Sequence, residues 1–157
     1  MKKYLLQFLA ITMLVTITSC KSENRTLNDE ERDIQDYITS HPEYSFEQKE
    51  SGLYFADIVV GDGVTPDSND RVYVRYTGTL VDGTEFDSNV DADNDFRFYV
   101  DRYEVIDGFN ESVKYMKEGG TAIIIVPSAL GYGNSSSSFD PYTPLVFTIS
   151  LTRVVVI

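Results

Sequence analysis

Histidine and cysteine each occur once in these 157 residues, at His41 and Cys20. A zinc site of ordinary type therefore has no ligand set to draw on. A Ser-His-Asp triad has no base either, because His41 precedes Pro42 in a stretch that reads as a solvent-facing turn outside the main domain. A lone thiol forms no internal disulfide, so stability rests on packing. Cations are also scarce: 13 Lys and Arg stand against 25 Asp and Glu, a net charge of −12. Phosphate contacts need clustered Lys and Arg, so nucleic acid is not an expected partner, and the acid reads as a solvated exterior. The run Asp91-Ala92-Asp93-Asn94-Asp95 imitates the start of an EF-hand loop. Phe96 stands where that loop needs glycine and Arg102 where it needs a bidentate glutamate, so the run reads as a solvated acidic loop. No metal and no cofactor is expected.

No apolar run reaches the roughly 20 residues of a bilayer span. The longest, residues 4–17, is interrupted by Gln7 and Thr12, preceded by Lys2 and Lys3 and followed by Thr18-Ser19-Cys20. That is the layout of a secretory signal. The ending Ile17-Thr18-Ser19-Cys20 resembles a bacterial lipobox, in which the cysteine is lipidated and becomes the new amino terminus. The resemblance implies a lipoprotein signal peptide at 1–19 and a lipid anchor at Cys20. Cleavage would remove Lys2 and Lys3 and no acid, leaving 11 bases against 25 acids, −14, so the lipid must do the anchoring.

Residues 20–50 read as a polar tether and a short helix, and residues 51–157 as the main domain, a length and apolar content that suit one core. Asn28 with Glu31 three residues on is a candidate capping box, Leu27, Ile34, Tyr37 and Ile38 form a partial apolar stripe, and Ser40-His41-Pro42 stops the helix. Beyond it, strands are expected from Ser51 to about Val60, then over 71–80, 96–100, 121–127 and 145–156, all rich in β-branched and aromatic residues. Helical spacing recurs once, with Phe109, Val113 and Met116 on one face and Gly119-Gly120 as the stop. Many strands with one short internal helix predict an α+β fold, a twisted antiparallel β-sheet wrapped around that helix.

The most informative stretch runs from Val72 to Ser88. Val72, Val74 and Tyr76 share one strand face, Asp82-Gly83 signals a hairpin turn, and Phe86-Asp87 follows. With Phe96, Phe98, Val105-Ile106-Asp107-Gly108-Phe109, Gly131-Tyr132-Gly133 and Leu145-Val146-Phe147, it resembles the FKBP family of peptidyl-prolyl isomerases over about Ser51 to Val155. Taken singly, each aromatic is more readily a core residue than a site residue.

The resemblance implies a hydrophobic cleft between helix and sheet that receives a substrate proline ring. The matching pocket residues are Tyr76, Phe86, Asp87, Phe96, Val105, Ile106, Phe109, Tyr132 and Phe147. It further implies that the Ile106 N–H and the Tyr132 hydroxyl donate to substrate carbonyls, that Phe109 is the floor, and that Asp87 accepts from a tyrosine such as Tyr76. Phe109 replaces the tryptophan of the best-studied members, which reshapes the cavity for macrolide inhibitors. Residues 134–141 replace a longer, more apolar flap, with Phe139 supplying its apolar contact. The expected partners are proline-containing protein segments in the cell envelope. The arm between Cys20 and Ser51 is too short for the dimerising arm of larger FKBP-type lipoproteins and predicts a monomer, and Lys21 favours the outer membrane. Two other functions use the same cleft: a proline-peptide-binding chaperone without turnover, and an accessory of an envelope machine such as gliding motility.

Overall fold

A computed structural model describes residues 25–134 and 137–157; Cys20 lies outside them. The chain runs α1 (Leu27–Ser40), β1 (Glu47–Gln48), β2 (Tyr54–Val59), β3 (Arg71–Leu80), β4 (Glu85–Ser88), β5 (Phe96–Tyr99), α2 (Asp107–Val113), β6 (Thr121–Val126), a 3-10 turn at Ser128–Leu130 and β7 (Leu145–Val155). The strands form one antiparallel sheet in the order β1-β2-β6-β7-β3-β4, and β5 pairs with the first half of β3 while β4 pairs with its second half. The expected α+β class with an antiparallel sheet is what is found.

Strand alternation sorts the side chains into two cores. Phe55, Val72, Val74, Phe98, Ile124, Phe147, Ile149 and Leu151 gather on the inner face with Phe109 and Val113 of α2 and with Met116, which lies beyond the helix because α2 ends at Val113 and not at the expected Gly119-Gly120 stop. Tyr54, Ala56, Ile123, Ile125 and Val146 point the other way and meet Ile34 of α1. β6 is therefore buried on both faces, and its unbroken run Ala122-Ile123-Ile124-Ile125-Val126 follows from having a helix on each side. Gly108 lets α2 press close, since a Cβ there would lie 2.6 Å from Val126 Cγ1. The Asp82-Gly83 turn closes β3 onto β4 with Gly83 at φ 86°, a conformation that glycine adopts without strain.

α1 departs from expectation at its start. Thr26, not Asn28, is the N-cap, and Asp29 completes the capping box with it. Both pairs have the right chemistry and spacing; the helix uses the earlier one, and its buried side carries Glu30 and Ile34. Leu27, counted in the apolar stripe, is 62% exposed in the first turn. His41 is a half-buried C-cap rather than a solvent-facing turn residue, its ring stacked on Tyr37 at 4.0 Å.

The acidic loop before β5 is organised from within. Arg75 donates to Asp95 at 2.6 Å and to the carbonyls of Asn89, Val90 and Ala92. A guanidinium thus sits where the loop's oxygens converge, and the Thr152 hydroxyl and Arg75 hold the Asp95 carboxyl below the usual carboxylate range. Among the described residues no group of three acidic, His or Cys side chains is placed to hold a metal.

Candidate active site

The inner face of the sheet is deeper than the side chains that fill it. A cleft of about 190 Å³ opens between β3, β4, β5, α2 and β7, lined by Tyr76, Phe86, Asp87, Phe96, Glu104, Val105, Ile106, Phe109, Tyr132 and Phe147. Every pocket residue implied by the resemblance lies on this wall. Phe139 does not line it but backs it, packing on Phe86 and on Tyr132 with ring centres 5.0 Å away in each case. Across Val105 lies a second, larger hollow of about 430 Å³, walled by Asp101, Tyr103, Asp107, Asn110, Glu111, Lys114 and Tyr115, in which charged groups alternate with two tyrosine rings.

The aromatic floor is a set of edge-to-face contacts, the arrangement that ring quadrupoles favour. Phe109 meets Tyr76 at 5.4 Å and Phe147 at 5.2 Å, and Phe147 meets Phe86 at 5.5 Å. Phe109 is only 4% exposed, a floor pressed into the core, whereas Phe96 and Tyr132 at 37% and 46% form accessible walls. Gly78 makes the packing possible. A Cβ on it would stand 2.8 Å from both the Phe147 and Phe86 rings.

A strand normally sends neighbouring side chains to opposite faces, yet consecutive Phe86 and Asp87 both reach the cleft. The register explains it: Thr79 pairs with Glu85 and Gly78 with Asp87, so β4 carries one extra residue, a β-bulge that re-aims the pair. The Tyr76 hydroxyl donates to Asp87 Oδ2 at 2.7 Å. Burial, then that carboxylate, pushes the Tyr76 phenol well above its ordinary range, so it stays a protonated donor. Asp87 borders the cleft at its exposed rim.

Two donors at the mouth have no acceptor among the described residues. Ile106 is the extended residue before α2 (φ −60°, ψ 150°), and among the described residues its N–H has no acceptor. The Tyr132 hydroxyl likewise makes no hydrogen bond to a described residue, and it lies close enough to Tyr76 to contribute to that phenol's raised pKa. Glu104 is a wall residue that sequence reasoning missed. It is an exposed acid whose carboxylate accepts from the Tyr99 N–H at 3.2 Å, and its place before Val105-Ile106 was the available signal.

A ring-sized, aromatic-walled cleft with two donors at its edge that bond no described residue has the shape to take a small apolar ring with polar backbone on either side. The sequence comparisons agree with that shape. The family model of the FKBP-type peptidyl-prolyl cis-trans isomerases matches residues 63–152, and the chain belongs to that family. It is 39% identical over 107 residues to the FKBP-type 22 kDa peptidyl-prolyl cis-trans isomerase of Escherichia coli, covering 67% of this chain and 51% of that one. It is 41% identical over 106 residues to the outer membrane protein MIP of Legionella longbeachae, covering 66% and 45%. The chain thus spans about half the length of these curated relatives. A crystal structure of a peptidyl-prolyl cis-trans isomerase from Pseudomonas syringae superposes with a TM-score of 0.68 at 28% identity, covering 84% of this chain and 98% of that one.

Proposed function

We propose that this chain accelerates cis-trans rotation about X-Pro bonds in envelope proteins, from a lipid anchor at Cys20. The observation that carries the reading is the convergence of Tyr76, Phe86, Phe96, Phe109 and Phe147 on one cleft, with the Ile106 N–H and the Tyr132 hydroxyl at its mouth and unbonded among the described residues.

Amide resonance keeps the peptide bond planar, with a rotation barrier of about 18–20 kcal/mol. Twisting the bond before proline removes that resonance and reduces charge separation. An apolar cleft then favours the twisted form, whereas water favours the planar one. The proline ring rests on Phe109 between Tyr76, Phe86 and Phe147. The Ile106 N–H holds one substrate carbonyl and the Tyr132 hydroxyl a second, which orients the backbone around the seated ring. No covalent bond breaks, and each ~1.4 kcal/mol of selective stabilisation speeds a switch that otherwise takes about tens to hundreds of seconds by tenfold. Asp87 holds the Tyr76 ring at the wall through the phenol.

The signal layout of residues 1–19 and the single cysteine at position 20 support the anchor, and the name of the Legionella relative is in keeping with an envelope location. In this reading the chain is a monomer at the outer membrane, and the reshaped Phe109 floor weakens macrolide binding.

The test is a protease-coupled assay of short X-Pro peptides with the full chain in detergent. The wild type should isomerise the peptide, and Tyr132→Ala and Phe86→Ala should each lose about tenfold or more in kcat/KM with the circular dichroism unchanged. A folded wild type that binds proline peptides without accelerating them would make the chain a binding chaperone. Cys20→Ala should release the protein from membranes, and retention there would refute lipidation at that residue.

A further inference from the structure

The flap carrying Tyr132 and Phe139 is tied to α1 at both of its feet. At the first foot the chain leaves the sheet through Pro127, which has no N–H, and Ser128, 3% exposed, would keep an orphan donor inside the protein. Glu30, in the first turn of α1 and 5% exposed, meets that need. Its carboxylate accepts from the Ser128 N–H and, at 3.0 Å, from the Ser128 hydroxyl. The Ser128 carbonyl in turn accepts from the N–H groups of Gly131 at 3.0 Å and Gly133 at 2.8 Å, the two residues flanking Tyr132. At the second foot, Tyr142 donates its N–H to the Gly133 carbonyl at 3.3 Å. The carbonyls of Tyr142 and Pro141 accept from Arg25 at 3.1 and 3.2 Å, and Arg25 is paired with Asp33 of α1 at 2.6 Å.

An apolar residue at position 30 would pack α1 on the sheet equally well. A carboxylate taken out of water is costly unless hydrogen-bonded, and both bonds that hold this one go to the residue that sets the course of the flap. We propose that Glu30 and Arg25 are positioning residues for isomerisation, acting through Ser128 and the Pro141 and Tyr142 carbonyls to keep the Tyr132 hydroxyl at the mouth of the cleft. This inference rests on the isomerase reading above. It makes α1 part of the working enzyme rather than a spacer between anchor and domain.

The experiment compares kcat/KM on X-Pro peptides for the full chain in detergent carrying Glu30→Ala, Glu30→Gln or Arg25→Ala, each with and without Tyr132→Phe. Glu30→Gln keeps an acceptor for the Ser128 N–H and a donor for its hydroxyl, and should stay within about twofold of wild type. Glu30→Ala should lose about tenfold and Arg25→Ala about threefold, the scale expected when a substrate-orienting group is slightly misplaced. Tyr132→Phe should cost several-fold in the wild type but less than about twofold on top of Glu30→Ala, because both changes remove one contact. A folded Glu30→Ala chain at wild-type rate, or losses that multiply independently with Tyr132→Phe, overturns the proposal. If Glu30→Ala does not fold, Arg25→Ala, a half-buried side chain outside both cores, decides alone, and its unchanged rate is the overturning result. A wild type without turnover sinks the isomerase reading and this one with it; an active wild type with unaffected variants sinks this one alone.

Discussion

Gly78 shows how a single missing methyl builds the cleft. The Phe86 and Phe147 rings occupy the space its Cβ would need. Gly78→Ala must push one ring aside, with an expected loss of about 1–3 kcal/mol in stability by urea unfolding and a lower kcat/KM. Tyr76 behaves differently. Its hydroxyl bonds a carboxylate that is already solvated, so Tyr76→Phe leaves no stranded charge and should cost only about 1 kcal/mol. Because the folded phenol titrates above its ordinary value, this contribution is complete below pH 10 and fades as pH rises through the folded pKa. The gap between wild type and Tyr76→Phe in unfolding free energy should therefore be constant from pH 7 to 9 and shrink in strong alkali. At this level the cleft was largely legible, since aromatic residues beside Gly-Phe, Gly-Tyr-Gly and Phe-Asp pairs are legible as a set. The bulge that brings both Phe86 and Asp87 to the cleft was not, because it depends on the partner strand's register and leaves no mark in β4 alone.

Two tertiary ties hold the helices. On the inner side, Asp101 accepts from Ser68 at 2.5 Å, Asn110 of α2 at 2.6 Å and Lys114 at 3.0 Å. Those bonds, led by Ser68, lower the Asp101 carboxyl to about 2. A depressed folded pKa means stability that is present above the unfolded value and is lost as pH falls through the folded one. Acid titration followed by circular dichroism should show wild type more stable than Asp101→Asn at pH 5, with the difference vanishing between about pH 4 and 2. On the outer side Ile34, 1% exposed, is the apolar anchor of α1. Ile34→Ala should cost about 2–5 kcal/mol, read as a fall in the unfolding midpoint. The strands β3, β5, β6 and β7 were visible within a residue or two, because period-two alternation and β-branched runs are local properties. The start of α1 was not, because Thr26-Asp29 and Asn28-Glu31 both have capping chemistry at capping spacing, and local sequence does not choose between them. Glu30 and Ser128 lie 98 residues apart, and no local pattern announces such a bond.

The molecule as a whole is a sheet covered on both faces, with the aromatic cleft on the inner face and α1, bonded to the foot of the flap, on the outer. The unbroken apolar run of β6 fits cover on both sides. Which helix supplies the second cover depends on how α1 folds back over β2 and β6, a contact between segments far apart in the chain. The surplus of acid leaves the cleft itself mainly apolar, with Asp87 and Glu104 confined to its rim. That separation is what bond rotation without bond breaking requires: the medium around the amide does the work, and charges stay outside it. Exchange NMR on a proline-containing peptide mixed with a small amount of the full chain in detergent tests this most directly, because it observes cis and trans populations interconverting at equilibrium without a protease. The account predicts exchange cross-peaks on the seconds timescale or faster that disappear with Phe86→Ala. Peptide shifts that move on binding while the cis and trans signals remain in slow, uncatalysed exchange would contradict it.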